Sequence, residues 1–408
     1  MSAAEATPPL VLSGVRIADF SRLLPGPWCT QMLADLGAEV IKIEQPGVGD
    51  FGRHNTPSYK RDGVYYNSVN RNKRSIALDL GRDDGREVAH RLFGWADVVV
   101  ESFRVGVAAK LGVDYAAAKG INKSVIYCSL TGFGQDGPLA PIPGHDLVIQ
   151  AATGLMGVAL DQEPVPPPPE FQTGDYAAAA MAAIGILAAI MRRQQTGEGC
   201  FLDLSLYDSV VAMSNIAMTG AMARLAGHSG KPKMEVWGGN PRYNTYLTRD
   251  ERPIAVSLLE KKIWDEFCHL TGHDELIHEE EDWADRHTSH GERAGLYRDA
   301  ISKYCAGHTR DELMEKLTAI GVPVCPIYTP DEALASEHMA VRGLVEFVDH
   351  PAEGRIPQLV NPLAKAGLTD TRRRPAPGLG ENGDEVLAEL DYSEEERERL
   401  RETGVIES

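Results

Sequence analysis

The N-terminal third of the chain alternates short apolar runs with longer segments whose apolar residues recur at helical spacing. The longer segments predict helices, including one that ends near Leu36 and one over residues 86–96. Because strands that alternate with helices form parallel sheets, we expect a doubly wound α/β domain of the Rossmann-like type. The short runs predict its strands at 14–20, 38–44, 74–80, 97–103 and 124–134.

Polar residues stand at the carboxyl ends of these predicted strands, which is where open parallel sheets bind their ligands. They are Asp19, Glu44, Asp79, Ser102 and Thr131. No G-x-G-x-x-G follows the first predicted strand, and no G-x-x-x-x-G-K-[ST] occurs in the chain. The sequence therefore argues against a hydride-transfer enzyme and against a kinase.

The middle of the chain begins with a run of four prolines at 166–169, which must be extended. It precedes a long Ala-rich helix with Arg192 and Arg193 near its C-terminus and a glycine beyond them. The apolar run 176–191 is shorter than the roughly 18–20 residues that span a bilayer, so it predicts a buried helix. A strand and a second helix are predicted from residue 200 onward.

A chain of 408 residues exceeds the size of one ordinary core, so we expect two domains. The Gly/Pro/Lys-rich stretch 229–242 predicts a linker, and a hairpin with its turn at Arg249–Arg252 follows it. The predicted division is a large domain over 1–228, a linker and smaller α+β domain over 229–330, and a part over 331–408 that returns to the large domain. A single acidic-basic surface helix is predicted over 385–403.

Composition limits the possible partners. The chain carries 59 acidic against 41 basic residues and a net charge of −18, which argues against nucleic acid, because phosphate backbones require basic surface. A phosphorylated small molecule in a local basic pocket remains compatible with this charge. The six cysteines lack C-x-x-C spacing and the N-terminus lacks a secretory signal, so we expect a cytoplasmic protein that does not use a membrane.

Seven segments carry a resemblance to a known family, in matching order and spacing. They are similar to segments of the class III CoA-transferases, the CaiB/BaiF family, which also contains the α-methylacyl-CoA racemases. The resemblance covers about residues 11–365 and implies an acyl-CoA substrate, with coenzyme A bound as part of it and no prosthetic group. It also implies an interlocked homodimer in which both subunits build each site. The segments are 22–53, 70–80, 96–112, 129–140, 144–156, 174–199 and 321–334.

The resemblance implies a set of residues that contact CoA. Arg104 and Lys110 follow a predicted strand end and suit the phosphates, while Phe103 suits the adenine ring. Gln45 stands where relatives often have Arg, and Gly81 where they often have Lys, which puts those phosphate contacts in doubt; the neighbouring Arg82 is an alternative. The full set is Gln45, Leu78, Asp79, Leu80, Gly81, Ser102, Phe103, Arg104, Lys110, Gly144, Asp146 and Ile149.

Three residues are the candidates for catalysis: His145, Asp175 and Glu260. Racemases of the family resemble the chain at all three, whereas its transferases keep the Asp but usually have Tyr or Phe at the His position and lack the Glu. Inverting a carbon next to a thioester requires two acid/base groups on opposite faces. His145 polarised by Glu260 would be one and Asp175 the other, with the enolate oxygen at the N-terminus of a helix starting at Tyr176.

The leading prediction is therefore a racemase of 2-methyl-branched acyl-CoA thioesters. One alternative is a CoA-transferase in which Asp175 attacks the donor thioester and passes through an aspartyl-CoA intermediate. Another is a non-catalytic acyl-CoA-binding protein.

Each candidate residue also has a structural interpretation. Asp175 suits a helix N-cap, Glu260 a first helical turn and His145 a turn. The second Gly-His-Asp, at 272–274, lies in a charged stretch and predicts a helix end. His287 and His290 alone are too few ligands for a metal, so none is expected.

Overall fold

The computed structural model describes residues 9–159, 164–229, 237–281, 283, 285–370 and 374–407. The chain divides into two compact units, the second of which is Ser214–Glu337. The first unit contains the residues before and after that segment. The expected boundaries at 229 and 331 both fall inside the second unit, and half of the expected linker, 230–236, lies outside the described residues.

The strands of the described residues are β1 (Arg16–Phe20), β2 (Glu39–Glu44), β3 (Lys73–Leu78), β4 (Val98–Glu101), β5 (Ile126–Thr131), β6 (Cys200–Ser205), β7 (Tyr243–Leu247), β8 (Pro253–Ser257), β9 (Val324–Pro326), β10 (Val345–His350), β11 (Gly354–Leu359) and β12 (Ile406–Glu407). The α-helices are α1 (Pro25–Asp35), α2 (Val64–Val69), α3 (Asp83–Trp95), α4 (Val107–Leu111), α5 (Tyr115–Ile121), α6 (Asp146–Ala152), α7 (Thr173–Thr196), α8 (Leu206–Met213), α9 (Thr219–Leu225), α10 (Lys261–Thr271), α11 (Ala294–Ala306), α12 (Arg310–Ala319), α13 (Pro330–Leu334), α14 (Glu337–Arg342), α15 (Gly383–Glu389) and α16 (Glu394–Glu402).

The main sheet of the first unit has the strand order β12-β3-β2-β1-β4-β5-β6. Strands β1 to β6 pair in parallel, and β12 pairs antiparallel with β3, so the predicted parallel sheet is confirmed. Ala18 of β1 lies opposite Ile41 of β2 on one side and Val99 of β4 on the other. The strand order reverses at β1 and β4, and a crevice at the carboxyl ends of two such strands is the usual ligand site.

Helices cover both faces of this sheet. On one face, Leu33 of α1 and Ile186 of α7 are fully buried against residues such as Ile17 and Val98. On the other face, Val88 of α3 and Leu387 of α15 are fully buried against a second set of strand residues. Burial on both faces explains why the central strands are continuous apolar runs.

Helix α7 departs from its predicted extent. It begins at Thr173, before the expected start at Tyr176, and has 24 residues. By length and composition it could cross a membrane, but half of its most apolar stretch is buried within the first unit. Ala178, Ala182 and Ile186 recur every four residues on its fully buried face, so it acts here as a core helix.

The second unit has its own core around Trp264, Phe267 and Tyr297. Strands β7 and β8 pair antiparallel on either side of the expected turn, which confirms the predicted hairpin, and β9 joins β8. The Gly-His-Asp at 272–274 follows α10, with Gly272 as its left-handed C-cap, so the predicted helix end is confirmed. The single helix predicted over 385–403 is wrong, because Asp391 adopts a φ of 61° and Ser393 caps a separate helix, α16.

Candidate active site

The main cavity of the first unit has a volume of about 600 Å³ and opens at the carboxyl ends of β1, β4 and β5. Residues after β1 and β4, such as Arg22 and Ser102, form part of its wall. The segment 140–147 and the start of α7 supply further wall, including His145 and Asp175. The cavity thus coincides with the position at which a sheet of this order binds ligands.

Asp175 is the third residue of α7 and is not its N-cap, since the helix begins earlier than expected and Gln172 precedes it. Its carboxylate accepts no hydrogen bond within the described part of the chain. Burial, and to a lesser degree the nearby negative charge of Asp146, raises the pKa of Asp175 to about 7. A carboxylate with these surroundings is poorly solvated and therefore reactive once it is ionised.

Asp146, the first residue of α6, fixes the start of α7. Its Oδ1 accepts a 2.6 Å hydrogen bond from the Gly174 backbone N–H, and its Oδ2 accepts one of 2.7 Å from Gln150 Nε2. A Cβ atom at position 174 would lie 3.0 Å from Asp146 Oδ1, so glycine allows the two helices to meet. Asp146 therefore holds the residue next to Asp175 and also acts on the charge of Asp175.

His145 is the N-cap residue of α6 and is exposed, without a side-chain capping bond. It lines the main cavity together with Asp175, although the two are thirty residues apart in the sequence. The structure thus brings together two of the three predicted catalytic residues.

Glu260, the third candidate, belongs to the second unit. It is the N-cap residue of α10 and is exposed, and its side chain makes no capping bond. The structural interpretation placed Glu260 in the first turn of a helix, whereas it lies just before that turn. Its partnership with His145 stays a prediction.

Tyr65 of α2 is a residue of this cavity that the sequence analysis missed. Burial raises the pKa of its hydroxyl, and the charge of Asp175 adds to that effect, so the two groups lie within electrostatic reach. The residue after Asp175, Tyr176, stacks its ring on Phe171 with centroids 4.9 Å apart. No local pattern around residue 65 signals this position, because it depends on how α2 packs.

A second cavity of about 270 Å³ lies at the carboxyl ends of β1, β2 and β3. Arg22 and Phe103 line both cavities. The predicted CoA contacts Gln45, Leu78, Asp79, Leu80, Gly81 and Phe103 line this second cavity, whereas Ser102, Arg104, Gly144 and Asp146 line the main one.

Two of the predicted CoA contacts line neither cavity. Ile149 is fully buried in the core beneath α6, and Lys110 is exposed on α4.

Two strand-end carboxylates that the sequence placed at a ligand site are used inside the protein instead. Asp19 is fully buried and pairs with Lys73 at 3.1 Å, and Glu44 pairs with Arg53 at 2.7 Å. Burial by itself would raise the pKa of Asp19, but the charges of Lys73 and Lys42 lower it overall. The pKa values of both carboxyls are lowered by their cationic partners, so both stay ionised, and Glu44 also lines the second cavity.

Comparison with known proteins gives a consistent picture. A family model described as CoA-transferase family III matches residues 12–383. The chain is 32% identical over 397 residues to the succinate–glutarate CoA-transferase of Agrobacterium fabrum, which covers 94% of this chain and 96% of that protein. It is 30% identical over 390 residues to the succinyl-CoA–D-citramalate CoA-transferase of Chloroflexus aurantiacus, with 94% of each covered. The crystal structure of a CaiB/BaiF family protein from Brucella suis superposes with a TM-score of 0.80 at 32% identity, covering 94% of this chain and 100% of that one.

The preference for a racemase is not supported by these comparisons, since both curated relatives are named CoA-transferases. That preference rested on His145 and Glu260, two side chains, whereas the likeness to the transferases extends over almost the whole chain. A match that runs through residues 12–383 is far longer than a local coincidence, and the chain is therefore an enzyme of CoA-transferase family III.

Proposed function

We propose that this protein transfers coenzyme A between carboxylic acids and that Asp175 is the nucleophile. The observation that carries the proposal is the Asp175 carboxylate, which faces the main cavity without a hydrogen-bond partner among the described residues. The relatives named above act on succinate, glutarate and D-citramalate, which are short dicarboxylic acids, and we propose the same class here.

The reaction proceeds through covalent intermediates on Asp175. Its carboxylate attacks the carbonyl carbon of the donor thioester, the C–S bond breaks, and a mixed anhydride and the CoA thiolate form. The thiolate then attacks the Asp175 carbonyl, which releases the donor acid and leaves an aspartyl-CoA thioester. The acceptor carboxylate reverses these two steps, and acyl-CoA and the free Asp175 carboxylate are the products.

The charge on Asp175 is an unfavourable feature of the resting enzyme that acylation removes. Burial and the neighbouring Asp146 carboxylate both disfavour that charge, as the raised pKa of Asp175 shows. The anhydride and the thioester at this position are neutral, so their formation relieves both effects. The surroundings of Asp175 thus favour covalent chemistry over a permanent ion pair.

A racemase is the second candidate function, because His145 and Asp175 line the same cavity, as a two-base mechanism requires. The two mechanisms differ in whether Asp175 becomes acylated or only carries a proton.

One experiment separates the two mechanisms. The protein is incubated with succinyl-CoA and ¹³C-labelled glutarate, and separately with a 2-methylacyl-CoA in deuterated water. CoA transfer predicts labelled glutaryl-CoA and an Asp175 adduct that hydroxylamine cleaves, both abolished in Asp175→Asn. Deuterium at the α carbon without labelled glutaryl-CoA would instead establish the racemase. Asp84→Asn, which changes an acid in the first turn of α3, is the matched control and is expected to transfer CoA normally.

A further inference from the structure

The loop after β1 is anchored at three consecutive residues. Ser21 N–H donates to Asp19 Oδ1 at 3.0 Å, Arg22 N–H to Ser102 Oγ at 3.1 Å and Leu23 N–H to Asp50 Oδ1 at 3.0 Å. Leu23 adopts a φ of 65°, a left-handed conformation that costs free energy for a residue with a branched side chain. So many anchors on a strained backbone indicate that the position of this loop matters.

A buried ion pair fixes the same loop from below. Lys42 Nζ lies 2.8 Å from Asp50 Oδ2 and also donates to the Ser21 carbonyl oxygen at 2.9 Å. Both members of this pair are almost completely buried, so it is rigid and shielded from salt. The loop therefore holds Arg22 in one place before any ligand arrives.

The Arg22 side chain forms no ion pair within the described residues, so its charge is available to a ligand. Its guanidinium lies 4.8 Å from the centre of the Phe51 ring, and Arg22 is exposed. Within the described residues it has no carboxylate partner at ion-pair distance. Since the Arg22 N–H bridges the ends of β1 and β4 through Ser102, the residue also marks the reversal of strand order.

Among the described residues, the wall of the second cavity offers no other exposed positive charge. Gln45 and Gly81 are neutral, and Lys42 is completely buried and pairs with Asp50. Arg82, the alternative considered from the sequence, donates its Nη1 hydrogen to the carbonyl oxygen of Thr403. A phosphate that enters this cavity would therefore meet Arg22 as the exposed positive charge of the wall.

We propose that Arg22 binds the diphosphate of coenzyme A, an assignment that rests on the proposed function. The nucleotide occupies the second cavity and the pantetheine arm extends through the main cavity toward Asp175. In CoA the diphosphate joins these two parts, and Arg22 lines both cavities. A planar guanidinium with paired donors suits two neighbouring phosphate oxygens. Arg22 thereby compensates for the charges that Gln45 and Gly81 lack.

Binding of truncated ligands to the full chain tests this assignment. Isothermal titration calorimetry measures the affinities for CoA and for dephospho-CoA, which keeps the diphosphate. The affinity for pantetheine, which lacks all phosphates, is measured by its competition with CoA. Arg22→Ala is expected to weaken CoA and dephospho-CoA about ten- to hundredfold and to leave pantetheine unchanged. Arg22→Lys keeps the positive charge but lacks the paired donors of the guanidinium, so it is expected to lose less affinity for CoA than Arg22→Ala. The matched control is Arg16→Ala, an exposed arginine over Trp95 at the opposite end of β1, which is expected to change none of the affinities.

Several results would overturn the assignment. A loss of CoA affinity with dephospho-CoA unaffected would place Arg22 on the 3′-phosphate. An equal loss for pantetheine would place it on the acyl end, and a result equal to that of Arg16→Ala would remove it from the site. If Arg22→Ala alters the circular dichroism spectrum, the affinities of Arg22→Lys for CoA, dephospho-CoA and pantetheine are compared in its place. Because no turnover is needed, a missing aspartyl-CoA adduct counts against the proposed function alone, whereas a wild-type protein that does not bind CoA counts against both.

Discussion

At the scale of single residues, the proposed reactivity of Asp175 follows from the poor solvation of its carboxylate. Asp175 has no hydrogen-bond donor among the described residues, and its pKa is raised to about 7. By contrast, Asp50 accepts bonds from two backbone N–H groups and pairs with Lys42, and its pKa is lowered despite burial. The two aspartates lie in one unit, and their surroundings shift the pKa values of the two carboxyls in opposite directions.

The first prediction concerns the pH dependence of CoA transfer. Because Asp175 must be ionised to attack, kcat/KM for the acyl-CoA donor is expected to rise with pH through a midpoint near 7. In Asp146→Asn the amide oxygen can still accept from Gly174 N–H, but the negative charge is gone, so the midpoint is expected to move to lower pH. Steady-state rates over pH 5–9 measure both midpoints. Identical midpoints would show that Asp146 does not act on Asp175 through its charge.

The second prediction concerns stability and follows from the same raised pKa. The unfolded chain releases the Asp175 proton near pH 4, whereas the folded protein retains it up to about pH 7, so the folded state loses stability as pH rises across that window. Asp175→Asn has no proton to release at this position, so it does not lose stability in this way as the pH rises. We expect it to exceed the wild type in free energy of unfolding by about 1–3 kcal/mol at pH 8, discounted for partial exposure, and to match it near pH 4. Chemical denaturation at the two pH values measures the difference, and a gap that widens on acidification would contradict the assignment.

At the scale of elements, α7 connects the core of the first unit to the main cavity. Its middle is buried by alanines, which allow close approach to α1 and the sheet, and its first turn presents Asp175 to the main cavity. Glycine is used twice in this helix for different reasons. Gly174 is crowded by Asp146, whereas a side chain at Gly185 would meet only ordinary contacts 3.6–3.7 Å away on Leu204 and Leu202.

The third prediction uses this matched pair of glycines. Gly185→Ala is expected to stabilise the protein by about 0.5–1 kcal/mol, because alanine favours the helix and the space is available. Gly174→Ala gains the same helix propensity but forces Asp146 away, so it is expected to slow CoA transfer at least tenfold without a gain in stability. Melting temperatures and rates of both variants test the pair. Equal behaviour of the two would mean that the contact between α6 and α7 is not required.

At the scale of the whole molecule, the C-terminal part completes the first unit. Leu387 of α15 and Ile406 of β12 are buried in the same core as Val88 and Leu92 of α3. Polar contacts reinforce this closure, since the Glu353 carboxylate accepts backbone hydrogen bonds from Lys60, Arg61 and Asp62. The first unit is therefore built from the two ends of the chain.

The fourth prediction tests whether the C-terminal part is needed for the stability of the first unit. Leu387→Ala removes a completely buried side chain and is expected to destabilise the protein by about 2–5 kcal/mol. Leu363→Ala, at a position with 44% exposure in the same unit, is the control and is expected to cost less than about 0.5 kcal/mol. Thermal unfolding monitored by circular dichroism measures both. Equal small effects would show that the C-terminal part is not needed for the fold.

The pattern of residues along the chain predicts the parallel sheet and the approximate bounds of β1 to β5, and its segments carry the family resemblance. Because the sheet is covered on both faces, each of its central strands is buried along its length. Each such strand therefore shows its own run of apolar and β-branched residues in the sequence. The family resemblance also selected Asp175 and ten predicted CoA contacts that line one or other of the two cavities. These positions came from matching segments, because the local pattern alone favoured a helix cap at Asp175.

The partners of the polar residues at those strand ends are visible only in the folded protein. Asp19 and Glu44 look in the sequence like ligands at strand ends, but buried cations engage them inside the protein. Arg22, an unremarked residue after β1, is instead the unpaired charge between the two cavities. The physical reason is that the charge available to a ligand depends on which partners fold within about 4 Å of it, and those partners come from distant parts of the chain.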